Sequence, residues 1–422
     1  MDREVFVYAE LLGRIHLVGR LWAHIRNGRE SATFEYDKSW LTNSEHFSLE
    51  PALSLTPGPY HTPSDRPLFG AIGDSSPDRW GRVLMRRAER RRAEHLKETP
   101  RTLHEIDYLL LVDDEAREGA LRFAEREGGS FLKSETHTRI PAFVKLSMLL
   151  SATNHILEDK ETDEEFRLLL APGSSLGGAR PKAALRDKDG ALALAKFPKA
   201  DDEISTVLWE AVALKLAESS GIEVPKWRLE RVGKTQVLIL KRFDRIGKER
   251  IPFLSAMSML GAKDNETRSY LEFVDILRSH GASPEQDMHA LWRRIVFNIL
   301  ISNTDDHLRN HGFLWSGTGG WKLAPAYDLN PMPVDIKPRV LSTTIDYHDG
   351  TASLELALSV ASHFKLSITD ARKIASEIGK AVSKWRSVAA KFGLSAHEID
   401  RMASGFEHED LALATSLISH PN

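Results

Sequence analysis

Apolar and polar residues alternate over 15–25 and again over 31–36, a period of two that predicts strands with one face against a core. Short strands and turns of this kind run to about residue 130 and predict a small mixed domain. Inside it, Ser76 followed by Pro77 reads as a helix start, serine capping and proline opening the first turn, and leads into a basic helix over 79–97. A Gly- and Ser-rich stretch at 128–130 closes this part, followed by a helical pattern over about 141–155 and a charged spacer. From residue 168 the pattern tightens into a strand at 182–186, a turn at 187–190, a strand at 191–196 and a helix at 205–219 closed by Gly221. A strand at 224–229, a turn at Gly233 and an apolar strand at 236–240 complete it. After Arg245 the chain is mostly helical, with a long amphipathic segment opened by Ser283 and Pro284 and running through 291–301. The expected organisation is thus a mixed subdomain over 1–130, a helical linker over 131–165, a β-rich segment over 166–245 and a helical segment over 246–422. No internal repeat or low-complexity tract interrupts it.

Composition narrows the function without naming it. A chain of 422 residues, 41% hydrophobic and 28% charged, has the make-up of an ordinary globular protein with room for two to three cores. A net charge of -3 gives no overall attraction to nucleic acid or anionic membrane. The run MRRAERRRAEHLK is basic, but its interspersed glutamates favour a solvated helix face over a nucleic-acid patch. Cysteine is absent, which excludes disulfides, thiol nucleophiles and cysteine-ligated metals and fits a reducing compartment. The first residues lack a signal-peptide pattern, and no run approaches the roughly 20 apolar residues of a membrane span. The expectation is a soluble, cytoplasmic protein with no membrane partner.

The densest chemical signal is ISNTDDHLRNHGFLW, a Gly-rich turn, and WKLAPAYDLNP, over 301–331. Asp305 and Asn310 have the spacing that protein kinases use between the base and a magnesium-binding Asn in the catalytic loop. Two short strands, 312–315 and 321–324, then return the chain so that Asp328 falls on the exit loop beside Asn310. A carboxylate and an amide oxygen together suit magnesium, a hard cation, and leave Asp305 to orient an attacking hydroxyl and take its proton. His307 and His311, four apart, offer a competing metal-hydrolase reading. It is weaker because Leu308 stands where the zinc-protease pattern wants Glu and Gly312 suggests that the helix has stopped.

Upstream, Gly173, Gly177 and Gly178 would let backbone amides approach phosphate oxygens, although the loop is neither a Walker loop nor G-x-G-x-x-G, and a plain turn is the competing reading. Lys196, at the end of the next strand, can set its ammonium against phosphates, and Glu210 on the following helix is placed to pair with it. Residues 240–245 would form a hinge whose backbone could meet an adenine.

With GSSLGGARPK, AKFP, KRFDR, NTDDHLRNHGF and PAYDL in this order, the chain resembles the HipA toxin kinase family. GDSSPDRWGR and LLLVDDEAREGALRF resemble the domain that precedes the kinase core there, so the likeness runs over almost the whole chain. The resemblance implies an α+β, two-lobed kinase-like fold with an extra N-terminal subdomain: N-lobe over 166–245, C-lobe over 246–422. It implies a serine/threonine kinase using ATP and Mg2+, with Asp305 catalytic and Asn310 and Asp328 holding the metal. Nucleotide contacts would fall on Gly177, Gly178, Ala179, Arg180, Pro181, Lys182, Lys196, Lys241, Arg242, Phe243, His307, Leu308, Arg309, Asn310 and Tyr327. Ser175, with Ser174 beside it, matches a loop serine that is autophosphorylated. The implied substrate is a translation-related protein such as an aminoacyl-tRNA synthetase. The implied partner is a small DNA-binding antitoxin of HipB type, through which alone DNA is met. The chain departs from the pattern at Lys241 and at Asp306, which replaces a glycine. The competing functional reading is a catalytically weak binding module acting as an antitoxin-bound co-repressor.

Overall fold

The computed structural model describes residues 2–132, 140–170, 178 and 180–417. Gly173, Ser174, Ser175, Gly177 and Ala179 lie outside them. The chain forms two compact units, one of residues 1–200 with 230–254 and one of residues 201–229 with 255–422.

The first unit opens with a five-stranded antiparallel sheet in the order Pro59–His61, Arg29–Tyr36, Arg14–Arg26, Asp2–Leu11, Leu121–Ala124. Val5, opposite Leu21, and Phe34, opposite Leu21 on the other side, are buried in it on one face. The strand Asp2–Leu11, unforeseen from the sequence, lies inside this sheet, paired on both sides. Gly19 is required there: a Cβ would sit 2.2 Å from Glu35 O and 2.8 Å from the Phe34 ring.

The next strands, Lys182–Arg186, Leu192–Lys196 and Thr235–Lys241, pair antiparallel, with Lys182 opposite Lys196 and Lys196 opposite Leu238. One core joins this sheet to three helices. Ala183, Leu185, Ala195, Val237 and Ile239 pack with Leu149 and Ile156 of Leu146–Leu157, Phe166 and Leu169 of Asp163–Leu170, and Trp80 and Leu84 of Arg79–Leu96. The Trp80 indole also donates to Lys182 O at 3.0 Å. Three expectations are corrected here. The basic helix starts at Arg79 with Asp78, not Ser76, as its cap, because the Asp78 carboxylate accepts from Trp80 N at 3.1 Å. The charged spacer contains the helix Asp163–Leu170, whose first turn is acidic. The strand expected at 224–229 runs instead over Trp227–Val232. The basic run is matched by carboxylates: from the spacer, Asp159 and Glu161 pair with Arg87, and Glu161 and Asp163 with Arg91, while Arg92 pairs with Glu89 of its own helix and with Glu98.

The second unit is built on the helix Pro284–Leu300, with Pro284 in its first turn and Met288, Leu291, Trp292, Ile295, Val296 and Ile299 buried. Around it lie Tyr270–His280, opened by the reciprocal Ser269 and Glu272 capping box, Ile368–Val382, and Glu409–Ser416. Thr206–Ser219 belongs to this unit: Trp209 packs near Trp385 and Phe406, and Glu398 accepts from Ser205 N at 2.6 Å and the Trp209 indole at 3.1 Å. Among the described residues no helix is long and apolar enough to cross a membrane.

The expected hinge is a buried ionic knot in the first unit. Asp244 meets Arg242 at 2.5 Å and Arg245 at 2.6 Å and accepts from Gly119 N at 2.8 Å. Burial works against its charge, yet the two guanidiniums hold Asp244 below the usual carboxylate range. Removing one partner from such a buried network costs about 3–5 kcal/mol. Asp244→Ala should lose that much in urea denaturation followed by tryptophan fluorescence, against under about 0.5 kcal/mol for the exposed Lys248→Ala. Equal losses would mean that Asp244 is not the anchor of this region.

Candidate active site

Two polar loops of the second unit meet at the end of the Pro284–Leu300 helix. The first leaves that helix through Ser302, whose φ of +50° puts it in the left-handed region. Asn303 folds back on the helix, its N–H donating to Asn298 O at 2.9 Å and its amide to Asn298 Oδ1 at 3.0 Å. The loop continues through Asp305 and Asp306 into the short 3-10 helix Leu308–Asn310 and the strand Gly312–Trp315. That strand pairs with Trp321–Leu323, Phe313 opposite Leu323, and the chain returns as the second loop. Gly320, at φ +105°, closes the turn where a Cβ would stand 2.5 Å from His280 O.

Three contacts stitch the second loop to the first. Tyr327 Oη donates to Arg309 O at 2.8 Å, Asn330 N to Asn303 Oδ1 at 3.1 Å, and Met332 N to Ser302 O at 3.2 Å. Asp328 lies between them at φ +58°, a conformation aspartate tolerates better than most residues. The Asn330 amide donates to Asp328 Oδ1 at 3.3 Å. Asn310 uses its amide N–H to hold Asp305 O at 2.8 Å, which leaves Asn310 Oδ1 as its acceptor atom. Asn303, Asp306, Asn310, Tyr327 and Leu329 line one small cavity between the loops. Asp305 and Asp328 thus stand on loops that the fold brings together.

The adjacent aspartates have different environments. Asp305 keeps about half of its side-chain surface exposed and pairs with Lys337 at 3.3 Å. Asp306 is buried, accepting from Tyr270 Oη, from Ser342 N at 2.8 Å and from Thr343 N at 3.4 Å. His311 Nε2 lies 3.3 Å from Asp306 O and 3.4 Å from Tyr270 Oη. The carbonyl can only accept, so Nε2 carries the proton, and burial of the ring disfavours a second proton. His311 therefore serves the scaffold. It is extended (φ -122°), past the end of the 3-10 helix, so no helix face joins it to His307. Among the described residues no group of three or more His, Asp or Glu could hold a metal.

The other expected residues are distributed as follows. Leu308 is buried, and Arg309 is clamped by Asp264 at 2.7 and 3.0 Å. Gly178 has φ +96° and Arg180 is exposed, while Pro181 O accepts from Phe197 N at 3.0 Å. Lys182 is buried, its ammonium 3.8 Å from Asp78. Lys196 ends its strand partly exposed; Glu210, expected to pair with it, is buried in the second unit. In the hinge, Lys241 pairs with Asp189 at 3.0 Å and the Phe243 ring lies 6.3 Å from Phe253. Arg242 spends its N–H on Leu192 O and turns its guanidinium into the scaffold, onto Asp244 and Ala116 O. Sequence reasoning missed Asn303, Asn330, Tyr270 and Lys337. The asparagines flank the two motifs and were legible as polar loop residues; Tyr270 and Lys337 follow no spacing rule.

Burial pushes Asp306 up to about 7 and His311 down to about 3. Their effects on stability have opposite signs. Asp306 binds its proton more tightly when folded, so its contribution is present at low pH and lost as pH rises from about 4 to about 7. His311 resists protonation when folded, so its contribution grows from about pH 3 to about 6.5. Asp306→Asn should remove the first and keep the second, making Tm rise more steeply between pH 4 and 6.5 than in the wild type. Equal slopes would show that Asp306 titrates alike in both states.

Residues 174–386 match the HipA-like C-terminal domain and residues 13–105 the HipA N-terminal domain. A Haemophilus influenzae protein named as a candidate kinase is 26% identical over 203 residues, which are 41% of this chain and 56% of that protein. Sinorhizobium fredii Y4mE, named in the same way, is 28% identical over 176 residues, 37% of this chain and 41% of that protein. The chain therefore spans about half the length of these curated relatives. HipA of a Shewanella oneidensis toxin-antitoxin system, solved with HipB and operator DNA, has a similar fold, with a TM-score of 0.61 at 15% identity over 98% of this chain and 96% of that one. With the C-terminal domain match alone spanning half of its residues, and the N-terminal match lying ahead of it in the same order, the chain belongs to the HipA family.

Proposed function

We propose that this protein is an ATP- and magnesium-dependent kinase of serine or threonine side chains and the toxin half of a toxin-antitoxin pair. The observation that carries the reading is the stitching of the Asp305–Asn310 loop to the Asp328 loop by Tyr327, Asn330 and Met332. Asp305, exposed, is the group that takes the proton of an acceptor hydroxyl. Asn310 Oδ1 and the Asp328 carboxylate are hard oxygen donors. Two such protein ligands suit magnesium, which usually keeps several waters and phosphate oxygens in its shell. Once bound, that ion would neutralise charge on the phosphate oxygens of ATP.

In the first unit, Lys196 at the end of its strand is the proposed phosphate ligand, together with the Gly178–Lys182 stretch. Since the Arg242 backbone N–H is bound to Leu192 O, the adenine contact falls to the backbone of Lys241 and Phe243. Autophosphorylation at Ser175 or Ser174 and a translation-related target are proposed from the family resemblance. A HipB-type antitoxin as partner, and DNA through it, is supported by the Shewanella HipA having been solved with both.

Purified protein and ATP labelled on the γ-phosphate test the reading. A positioned base contributes roughly 100 to 10,000-fold, so Asp305→Asn should lose transfer by that factor while keeping the thermal shift produced by ATP with magnesium. Asp328→Ala should lose the magnesium-dependent part of that shift. Undiminished transfer by Asp305→Asn, or a wild type that ATP and magnesium do not stabilise, would rule the reading out.

A further inference from the structure

The Lys337 ammonium stands 3.3 Å from Asp305 Oδ1 and 3.0 Å from the carbonyl of Thr304, the fully buried residue before it. Its backbone is fixed as well. The N–H groups of Ile336 and Lys337 both donate to Pro333 O, at 3.1 and 3.2 Å, and Pro338 follows, where a proline limits the preceding backbone. Ser342 Oγ donates to the same Thr304 carbonyl at 2.9 Å, so the 333–343 segment is fastened to the Asp305 loop at several points.

The side chains of Lys337 and Asp305 remain 37% and 53% exposed. A pair that open to solvent contributes about 0–1 kcal/mol, too little to account for a lysine held by two contacts at this spot. Positional control of the carboxylate does account for it. An ammonium has three donors and no acceptor. With one on Thr304 O and another on Asp305 Oδ1, it holds Asp305 in one orientation and leaves Oδ2 to accept from a hydroxyl.

We propose that Lys337 is a positioning residue for phosphate transfer, fixing the Asp305 carboxylate against the acceptor hydroxyl. The inference rests on the kinase reading of Asp305. In the step it serves, the acceptor O–H gives its proton to Asp305 and the acceptor oxygen bonds the γ-phosphorus. The bond from that phosphorus to the bridging oxygen breaks, and its electron pair leaves with ADP. Lys337 keeps its own proton throughout.

The test follows label from ATP into a library of serine- and threonine-bearing peptides and into the protein itself. It compares the wild type, Lys337→Met, Lys337→Arg, Asp305→Asn and the Asp305→Asn/Lys337→Met double variant. Misplacing a reacting group by about 1 Å can cost on the order of 100-fold, so Lys337→Met should lower kcat by roughly 10 to 100-fold. The KM for ATP with magnesium should stay within about two-fold and Tm within about 2 °C, as befits an exposed pair. Lys337→Arg should recover most of the rate, and the double variant should be no slower than Asp305→Asn alone, because a residue acting through Asp305 has nothing left to act on. An unchanged kcat in Lys337→Met, or losses that multiply in the double variant, would overturn the inference. So would a fall in Tm that Arg does not repair. An inactive Asp305→Asn beside a fully active Lys337→Met sinks this inference alone, whereas a wild type that transfers no label sinks the kinase reading and this inference with it.

Discussion

Burying the Asp306 carboxylate demands that its oxygens find donors, and the candidate loop is shaped by that demand. The donors come from two places distant in sequence: the Tyr270 hydroxyl from one helix, and the N–H groups of Ser342 and Thr343 from the segment after Asp328. Thr343 Oγ1 adds a bond to Asp306 O at 2.7 Å. A side chain that must be satisfied from both sides cannot shift without leaving a polar group orphaned, at about 1–3 kcal/mol each. Asp306 therefore fixes the residues next to it, Asp305 among them. The glycine whose place Asp306 takes, in the pattern the sequence resembles, could make no such side-chain bonds.

The first unit solves a related problem with charge. KRFDR and VDDEAREG, two stretches that stand out in the sequence more than a hundred residues apart, meet through Asp244, Arg242, Arg245 and Gly119. Arg117, fully buried, donates to the carbonyls of Ser75, Leu109 and Val112, tying GDSSPDRW into the same region. Motifs that read as a nucleotide hinge and an N-terminal appendage are here one piece of architecture. The Arg242 side chain belongs to the scaffold, and any hinge role passes to its neighbours.

Much of this was legible in the chain because it is local. The hairpin of Gly312–Trp315 with Trp321–Leu323, the strands Lys182–Arg186 and Leu192–Lys196, and the helix Pro284–Leu300 each follow from periodicity and turn or cap residues within a few positions. The strand Asp2–Leu11 was missed because its burial on both sides of the sheet, from Val5 to Tyr8, erases the alternation by which a strand is recognised. The Asp163–Leu170 helix was missed because its charged first turn looks like a spacer until Phe166 and Leu169 find their core. In the site, Asp305, Asn310 and Asp328 carried a spacing and could be named, and the hairpin between them was readable. Tyr270 and Lys337 carried none, since what brings them to the loops is tertiary packing.

Under the proposed kinase reading, Asp305 and Asp306 divide between them two jobs that a single carboxylate could not hold. A proton acceptor for a passing hydroxyl must be reachable by solvent and substrate, and an exposed side chain on a loop is poorly held, because water competes for every hydrogen bond it makes. A carboxylate that anchors the loop must be buried and saturated with donors, which removes it from chemistry with an outside molecule. Here burial of the second aspartate supplies the rigidity that exposure denies the first, and Lys337 extends that rigidity from the backbone to the Asp305 side chain itself. The neutral His311 completes the arrangement from behind, donating to Asp306 O without bringing a charge that would compete for the carboxylate. The residue between anchor and solvent is thus held at both ends, by its neighbour's buried carboxylate along the chain and by an ammonium across the loop.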